Sequence, residues 1–125
     1  MIGDFLTIIR NGIARSKPFV VVQYSKMNYA LATILKDEGF LSQIAVEGDI
    51  KKEIKIFLKY VDGESAIHEI QRVSKPSRRV YKGFNSFEPV IGGLGLSLVT
   101  TNCGLMTNKE ARERKVGGEV ICTVW

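Results

Sequence analysis

The stretch from Arg72 to Lys82 carries the side chains best suited to binding a polyanion. No acidic residue occurs between Glu69 and Glu88, so its positive charges are not offset locally. Guanidinium and ammonium groups neutralise phosphates, and an aromatic ring among them can stack on a base or a sugar. A solvated basic loop is the alternative, but Pro76 favours a fixed conformation. We therefore interpret the stretch as a candidate phosphate-binding loop, with Arg72, Lys75, Arg78, Arg79 and Lys82 as its cations and Tyr81 as its aromatic residue.

The run from Thr100 to Gly104 is a second candidate, because three small polar side chains occur together just before a glycine. Gly104 permits a positive φ, and the resulting turn can present hydroxyls, an amide and backbone N–H groups together. Such groups suit the 2′-hydroxyls and base edges of a shallow RNA groove. An ordinary polar turn is the alternative on this pattern alone. The polar side chains concerned are those of Thr100, Thr101 and Asn102.

Glu119 follows Gly117 and Gly118 at the start of the last apolar run. Beside a basic surface, its carboxylate can accept a hydrogen bond from the amino group of a base. It can equally form a salt bridge with an arginine of the protein itself. The sequence leaves both interpretations open.

Cys103 and the glycines Gly92, Gly93 and Gly95 raise the alternative of an enzyme or a nucleotide-binding domain. A catalytic thiol needs a base beside it, and the single histidine, His68, is distant in sequence. A phosphate loop needs Lys-Ser or Lys-Thr after its glycines, and that pair is absent here. No Cys-x-x-Cys pair accompanies the histidine, so a metal site is not expected either. We therefore predict a binding protein without catalytic residues, metal or cofactor, and a tight turn at the glycines.

Apolar spacing and strand alternation predict the elements of the N-terminal half. Pro18 stops the first helix, Ser25 is suited to cap the second, and Gly39 is suited to end it. Two antiparallel strands follow, and a turn at Asp62 and Gly63 closes the lobe. The predicted elements are a helix over Ile2 to Ala14, a strand over Phe19 to Gln23, a helix over Met27 to Glu38, and strands over Ser42 to Glu47 and Glu53 to Tyr60.

The C-terminal half is less regular and is predicted to consist mostly of short strands. Ile67 to Val73 fits either a strand or a helix, and the break at Pro76 favours a strand. Asn108 is expected to cap a charged helix. The predicted strands are Ile67 to Val73, Arg79 to Tyr81, Leu96 to Thr101, Leu105 to Thr107 and Glu119 to Trp125, and the predicted helices are Phe87 to Ile91 and Asn108 to Lys115.

The overall composition fits an α+β protein of two small lobes. The chain has 125 residues, 45% of them hydrophobic and 25% charged, which allows one compact domain or two lobes that share a short connection. We predict an α-β-α-β-β lobe over residues 1–62 and a mostly β lobe with short helices over residues 63–125. The net charge of +5 favours a polyanionic partner. Neither a membrane-spanning run nor a signal peptide is apparent, so a soluble intracellular protein is expected.

Several sequence blocks together resemble the bacterial-type family of small-subunit ribosomal protein eight. Leu6 to Gly12 is similar to the first helix of that family, and Ser25-Lys26-Met27 to its next block. Two internal blocks and the whole C-terminal string follow in the family's order, so the resemblance covers essentially the entire chain. These are Arg72 to Pro76, Arg79 to Lys82, Gly93 to Ser97, Thr100 to Thr107, Glu110 to Arg112 and Val116 to Cys122.

The resemblance implies a non-enzymatic, two-lobed α+β protein that binds the central domain of small-subunit ribosomal RNA early in assembly. It implies that the C-terminal lobe supplies most contacts, with neighbouring ribosomal proteins as further partners and neither a membrane nor a small-molecule substrate. Some members also repress their own operon messenger RNA. The implied place is the ribosome, in the cytoplasm or in a plastid or mitochondrion. RNA contacts are expected at Thr100, Thr101, Asn102, Gly104, Tyr81, Lys82, Arg79, Arg78, Lys75, Gly118 and Glu119, with weaker ones at Lys26 and Lys55.

Four residues depart from the family's usual pattern, and the first of them, Thr100, replaces a serine but keeps its hydroxyl. Asn102 replaces a serine and offers an amide in place of a hydroxyl, and Cys103 stands where a basic residue is frequent. Ser77 stands where glycine is frequent, so its loop must adopt a conformation open to a side chain. Two rival functions remain open to test. A basic RNA chaperone would show no preference among RNA folds, and an enzyme using Cys103 would need an activated thiol.

Overall fold

The computed structural model describes residues 2–83 and 95–125 of the chain. The chain divides into two compact units, Met1–His68 and Glu69–Trp125. Both units combine helix with antiparallel strand, so the α+β prediction is confirmed. The helix predicted for Phe87 to Ile91 and the turn predicted at Gly92 and Gly93 lie outside the described residues.

The first unit follows the predicted α-β-α-β-β order and adds a small hairpin. Its three-stranded sheet has the strand order β1-β3-β2, and both pairings are antiparallel. The hairpin turns at Asp62 and Gly63, both of which have positive φ. The elements are α1 Ile2–Ala14, β1 Phe19–Gln23, α2 Lys26–Asp37, β2 Leu41–Glu47, β3 Glu53–Leu58, β4 Tyr60–Val61 and β5 Glu64–Ser65.

The core of this unit forms where α1 and α2 pack on the sheet. Alternate residues of β1 and β3 are buried, as expected for strands with one solvated face. Gly12 allows the close approach of α1 to β1, because a Cβ there would collide with the Val20 side chain. The core is therefore built from Phe5, Leu6, Ile9, Leu31, Ala32, Leu35, Val20, Val22, Ile54, Ile56 and Leu58.

The second unit is a sheet built around its last strand. The strand order is β6-β10-β8-β9, and β7 also pairs with β10. The central strands carry the apolar core, in which Leu98, Val99 and Val124 are fully buried. Its elements are β6 Ile70–Arg72, β7 Tyr81–Lys82, β8 Leu96–Thr101, β9 Gly104–Thr107, α3 Asn108–Glu113 and β10 Gly118–Val124.

The predicted N-cap and the predicted end of the charged helix are wrong. Thr107 is the N-cap of α3, and its side chain accepts a hydrogen bond from the Glu110 backbone N–H at 3.2 Å. The Asn108 side chain is buried, and its Oδ1 accepts from the Ser97 backbone N–H at 3.1 Å, so it attaches α3 to β8. The helix ends at Glu113, and Lys115 has a positive φ that a helix does not permit.

Candidate nucleic-acid interface

The basic loop between β6 and β7 is held in one conformation by a buried serine. The Ser74 hydroxyl accepts from the Val80 backbone N–H at 2.9 Å and donates to the Val80 carbonyl at 3.3 Å. Lys75 and Arg78 exchange two backbone hydrogen bonds of 2.9 Å, which closes a tight turn over Pro76 and Ser77. Ser77 does not have a positive φ, so this turn accommodates its side chain without backbone strain.

The loop presents most of its charged side chains to solvent. Arg72 differs, because its Nε donates to the Ser74 carbonyl at 2.8 Å and it is only half-exposed. Tyr81 is 69% exposed, which leaves its ring accessible for stacking. The exposed cations that can contact phosphates are those of Lys75, Arg78, Arg79 and Lys82.

Glu119 and Arg79 form an ion pair, one of the two roles that the sequence left open for the carboxylate. The distance between Arg79 Nη1 and Glu119 Oε2 is 3.2 Å. The Glu119 side chain is 12% exposed and that of Arg79 is 50% exposed. A guanidinium has five N–H donors, so this contact leaves others for a phosphate. Glu119 thus holds the Arg79 side chain beside β10.

The polar turn joins β8 to β9 and is closed by the Thr101 side chain. Its hydroxyl donates to the Gly104 carbonyl at 2.9 Å and accepts from the Cys103 backbone N–H at 3.0 Å. Gly104 has a φ of 111°, the left-handed conformation predicted for this position. Asn102 lies exposed at the tip, where its Oδ1 accepts from the Cys103 thiol at 3.6 Å. Thr101 therefore shapes the turn, and Asn102 is its outermost polar side chain.

The strand register brings the basic loop and the polar turn together. Glu119 of β10 lies opposite Tyr81 on one side and opposite Thr100 on the other. Gly118 lies in the same way between Lys82 and Thr101. Neighbouring strands are about 4.8 Å apart, so these six residues meet at one end of the sheet, here named the β7-β10-β8 surface. Because successive side chains of a strand alternate between faces, Tyr81, Glu119 and Thr100 lie on one face of this end and Lys82 and Thr101 on the other.

Two predicted contact residues lie in the first unit. Lys26 is exposed at the start of α2. Lys55 lies on β3 with its Nζ 4.1 Å from the ring centroid of Phe19 and 5.4 Å from that of Phe57. Both lysines therefore belong to a different unit from the β7-β10-β8 surface.

Sequence reasoning missed two residues that support this surface. Ser74 fixes the basic loop, yet nothing in the sequence marks a buried hydroxyl there. A Cβ on Gly117 would lie 2.6 Å from the Lys82 carbonyl oxygen, so this glycine lets β7 approach β10. The Gly117-Gly118 pair was its only signal in the sequence.

Cys103 and Cys122 are expected to differ in reactivity towards iodoacetamide. Cys103 is exposed, whereas Cys122 is buried and desolvation raises the pKa of its thiol to about 12. Alkylation requires the thiolate, so near-neutral labelling should modify Cys103 alone, and labelling after unfolding should modify both. Peptide mass spectrometry checks this. Labelling of Cys122 in the folded protein would contradict the structure, and labelling of Cys103 faster than free cysteine would revive a catalytic thiol.

The raised pKa of Cys122 also predicts a loss of stability at high pH. Its pKa in the folded protein lies above the ordinary value of 9.0, so its favourable contribution is complete below that pH. This contribution is lost as the pH rises towards about 12. Urea unfolding of wild type and Cys122→Val across this pH range separates the contribution of Cys122 from that of other titrating groups. An equal loss of unfolding free energy in both proteins would contradict the prediction.

Comparison with known families agrees with the resemblance seen in the sequence. The family model described as ribosomal protein S8 matches residues 1–125. The chain belongs to the ribosomal protein S8 family. Two similar proteins, each named small ribosomal subunit protein uS8, come from Aliivibrio fischeri and Psychromonas ingrahamii, with 48% and 46% identity. Each alignment spans 123 residues, covering 98% of this chain and 95% of the relative.

Membership of the S8 family identifies the chain as a ribosomal protein and not an enzyme, as the sequence predicted. Among residues 2–83 and 95–125, no group of three potential metal-ligating side chains is present. No described helix is long and apolar enough to cross a membrane. The functional question for this S8 protein is therefore which residues contact RNA.

Proposed function

We propose that this structural constituent of the small ribosomal subunit binds the central domain of its ribosomal RNA. The observation that carries the proposal is the register of β7, β10 and β8, which gathers Tyr81, Lys82, Thr100, Thr101, Gly118 and Glu119. The two relatives are also named small ribosomal subunit protein uS8. The proposed partners are this RNA and neighbouring ribosomal proteins, within a cytoplasmic or organellar ribosome.

Phosphate contacts supply the part of the affinity that does not depend on sequence. Exposed side chains at Lys75, Arg78, Arg79 and Lys82 surround the end of the sheet. Each contact releases counterions from the RNA, so the affinity falls as salt rises. The loop held by Ser74 presents these charges in a fixed arrangement, which reduces the ordering that binding requires.

The polar turn supplies the part of the RNA affinity that discriminates between RNA folds. The Asn102 amide and the backbone around Gly104 are exposed at the tip, where they can reach 2′-hydroxyls and base edges. The Tyr81 ring can stack on a base or sugar beside them. Glu119 can accept from a base amino group once Arg79 turns to a phosphate. Lys26 and Lys55 are proposed as weaker contacts from the first unit.

The direct test is binding of the purified protein to a short helix from the central domain, compared with a scrambled helix over a salt series. Preference for the ribosomal helix that persists at moderate salt would support specific recognition. Equal and steeply salt-dependent binding to both helices would contradict it. That result would favour a basic RNA chaperone instead.

Arg79→Ala is expected to weaken binding to the ribosomal and scrambled helices alike. Loss of one phosphate contact should reduce the slope of log K against log salt by about one. Arg114→Ala is the matched control, because Arg114 is also a half-exposed arginine paired with a glutamate, Glu110, at 3.0 Å. Fluorescence anisotropy titrations measure both slopes. A loss confined to the ribosomal helix, or an equal loss in Arg114→Ala, would contradict the assignment.

We also propose repression of the protein's own operon messenger as a use of the same surface. A single interface can bind any RNA that presents the fold it recognises, so a messenger leader with that fold would compete with ribosomal RNA. Titration of the messenger leader against the labelled ribosomal helix tests this. Saturable competition is expected, and its absence would argue against repression.

A further inference from the structure

We propose that the first unit binds unpaired RNA nucleotides on a second surface, formed by Tyr24, Tyr29, Ile50, Lys51 and Lys52. The name tyrosine platform is used for these five residues. The inference rests on the proposed RNA-binding function and adds a ligand class, single-stranded RNA. Sequence patterns alone do not mark these residues as a binding surface.

The two tyrosine rings offer partly exposed aromatic surface side by side. Tyr24 is 36% exposed and Tyr29 is 41% exposed, and their ring centroids are 6.0 Å apart with an interplanar angle of 43°. Neither ring belongs to the core of the unit. Exposed aromatic rings are the groups on which unpaired bases stack in sequence-tolerant RNA binding.

The segment between β1 and α2 holds the rings in place. The Ser25 side chain accepts from the Asn28 backbone N–H at 3.0 Å, and the Ser25 carbonyl accepts from the Tyr29 backbone N–H at 2.9 Å. Buried Asn28 donates from Nδ2 to the Gln23 carbonyl at 2.9 Å. Tyr24 thus lies within a backbone segment fixed at both ends, so stacking requires little additional ordering.

The loop between β2 and β3 brings Lys52 close to the Tyr24 ring. The Tyr24 backbone N–H donates to the Lys52 carbonyl at 3.1 Å, and Lys52 Nζ lies 5.8 Å from the Tyr24 ring centroid. Gly48, with a φ of 98°, allows the tight turn, because a Cβ there would collide with the Lys51 carbonyl oxygen. The loop is therefore held against the start of α2.

An open depression of about 670 Å³ lies between this loop and Tyr24. Lys51 and Lys52 line it together with a single carboxylate, that of Glu53. Ile50, also in the lining, is 97% exposed and supplies apolar surface against which a base or sugar can pack. One ammonium group beside the Tyr24 ring and a second lysine lining the same depression suit a phosphate next to a stacked base, which favours RNA over a protein ligand.

A labelled octauridylate, which has no secondary structure of its own, is the probe for the full-length protein. Tyr24→Ala combined with Tyr29→Ala is expected to lower its affinity by about tenfold or more, because stacking on each ring is lost. Tyr24→Phe combined with Tyr29→Phe keeps both rings and should bind within about twofold of wild type. Lys51→Ala combined with Lys52→Ala should reduce the salt slope by roughly 1.4.

Phe19→Ala is the matched control. Phe19 is 38% exposed and also lies beneath a lysine, but it is at the far end of β1, roughly 16 Å along an extended strand from Tyr24. Because Lys55, proposed above as a weaker contact, lies over this ring, replacement of Phe19 should lower the octauridylate affinity far less than the loss of both tyrosines. An equal loss with Phe19→Ala, unchanged affinity in the double alanine variant, or no binding by wild type would each overturn the platform.

The two RNA surfaces can be distinguished by titrating the same variants with the ribosomal and scrambled helices. The double tyrosine variant should retain its preference for the ribosomal helix, whereas Thr101→Ala combined with Asn102→Ala should lose that preference and still bind octauridylate. If wild type bound the ribosomal and scrambled helices equally, that result would contradict the proposed recognition of the central domain. The octauridylate result would still decide the tyrosine platform by itself.

Discussion

Thr101→Ala combined with Asn102→Ala is expected to lower the affinity for the ribosomal helix by about 10- to 100-fold, because hydrogen bonds to the RNA are lost with the shape of the turn. The affinity for a scrambled helix should change by less than about threefold, since the phosphate-binding cations are untouched. Thr101 closes the turn through Gly104 and Cys103, and Asn102 presents the outermost amide. Anisotropy titrations with both helices measure the difference.

Single substitutions separate the two roles. Thr101→Ser keeps the hydroxyl and should retain most of the affinity, whereas Thr101→Val keeps the shape of the side chain but loses both hydrogen bonds. If Thr101 acts by shaping the turn, valine should be as harmful as alanine. Asn102→Ala should reduce discrimination while leaving the hydrogen bonds of Thr101 intact. Equal losses on ribosomal and scrambled RNA in the double variant would contradict the assignment of this turn.

Gly118→Ala is expected to destabilise the protein by roughly 1–3 kcal/mol or more, because an added methyl group overpacks the contact between β10 and β8. The new Cβ would collide with the Thr100 carbonyl oxygen and lie 3.1 Å from Thr101 Cγ2. Relief of this collision requires the backbones of β10 and β8 to move apart, because the clashing Thr100 oxygen belongs to the backbone and not to a flexible side chain. We expect a lower urea midpoint and, at temperatures where the variant is folded, weaker binding to the ribosomal helix.

Gly39→Ala provides the control for Gly118→Ala. Gly39 ends α2 with a φ of 86°, and a Cβ there would meet nothing within 4 Å. Its replacement adds conformational strain of about 1 kcal/mol without a collision and leaves the β7-β10-β8 surface unchanged. A Gly118→Ala protein as stable as Gly39→Ala, with unaltered RNA binding, would contradict the close approach of the two strands.

The sequence determined the elements whose pattern is local. The helix over Ile2–Ala14 and the strand Phe19–Gln23 were predicted with their observed bounds, and Ser25 caps α2 as expected. Helical spacing, strand alternation and cap chemistry depend on residues a few positions apart, so they are visible without a structure. The motif blocks also identified the family, because they extend along the whole chain in a fixed order.

Side-chain partnerships across distant segments were visible only in the structure. Asn108 has the chemistry of an N-cap, yet its amide bonds to Ser97 on β8, and Thr107 caps the helix instead. Arg79 and Glu119 are forty positions apart and pair because β7 lies beside β10. Local rules favour several partners for such groups, and tertiary packing decides among them.

The candidate RNA surface also depends on packing between segments that are distant in the sequence. The sequence supplied its residue types, but their meeting depends on the register of β10 against β7 and β8, which includes an irregularity between Val120 and Cys122. Moving a strand by one residue would turn every side chain to the other face of the sheet. In β10, Val124 is fully buried and its neighbour Thr123 is only partly buried, so exchanging their faces would bury a hydroxyl and expose a core side chain, which opposes that shift. The sequence by itself therefore determined which residues have the chemistry that RNA binding requires, and only core packing decided that they meet at one end of the sheet.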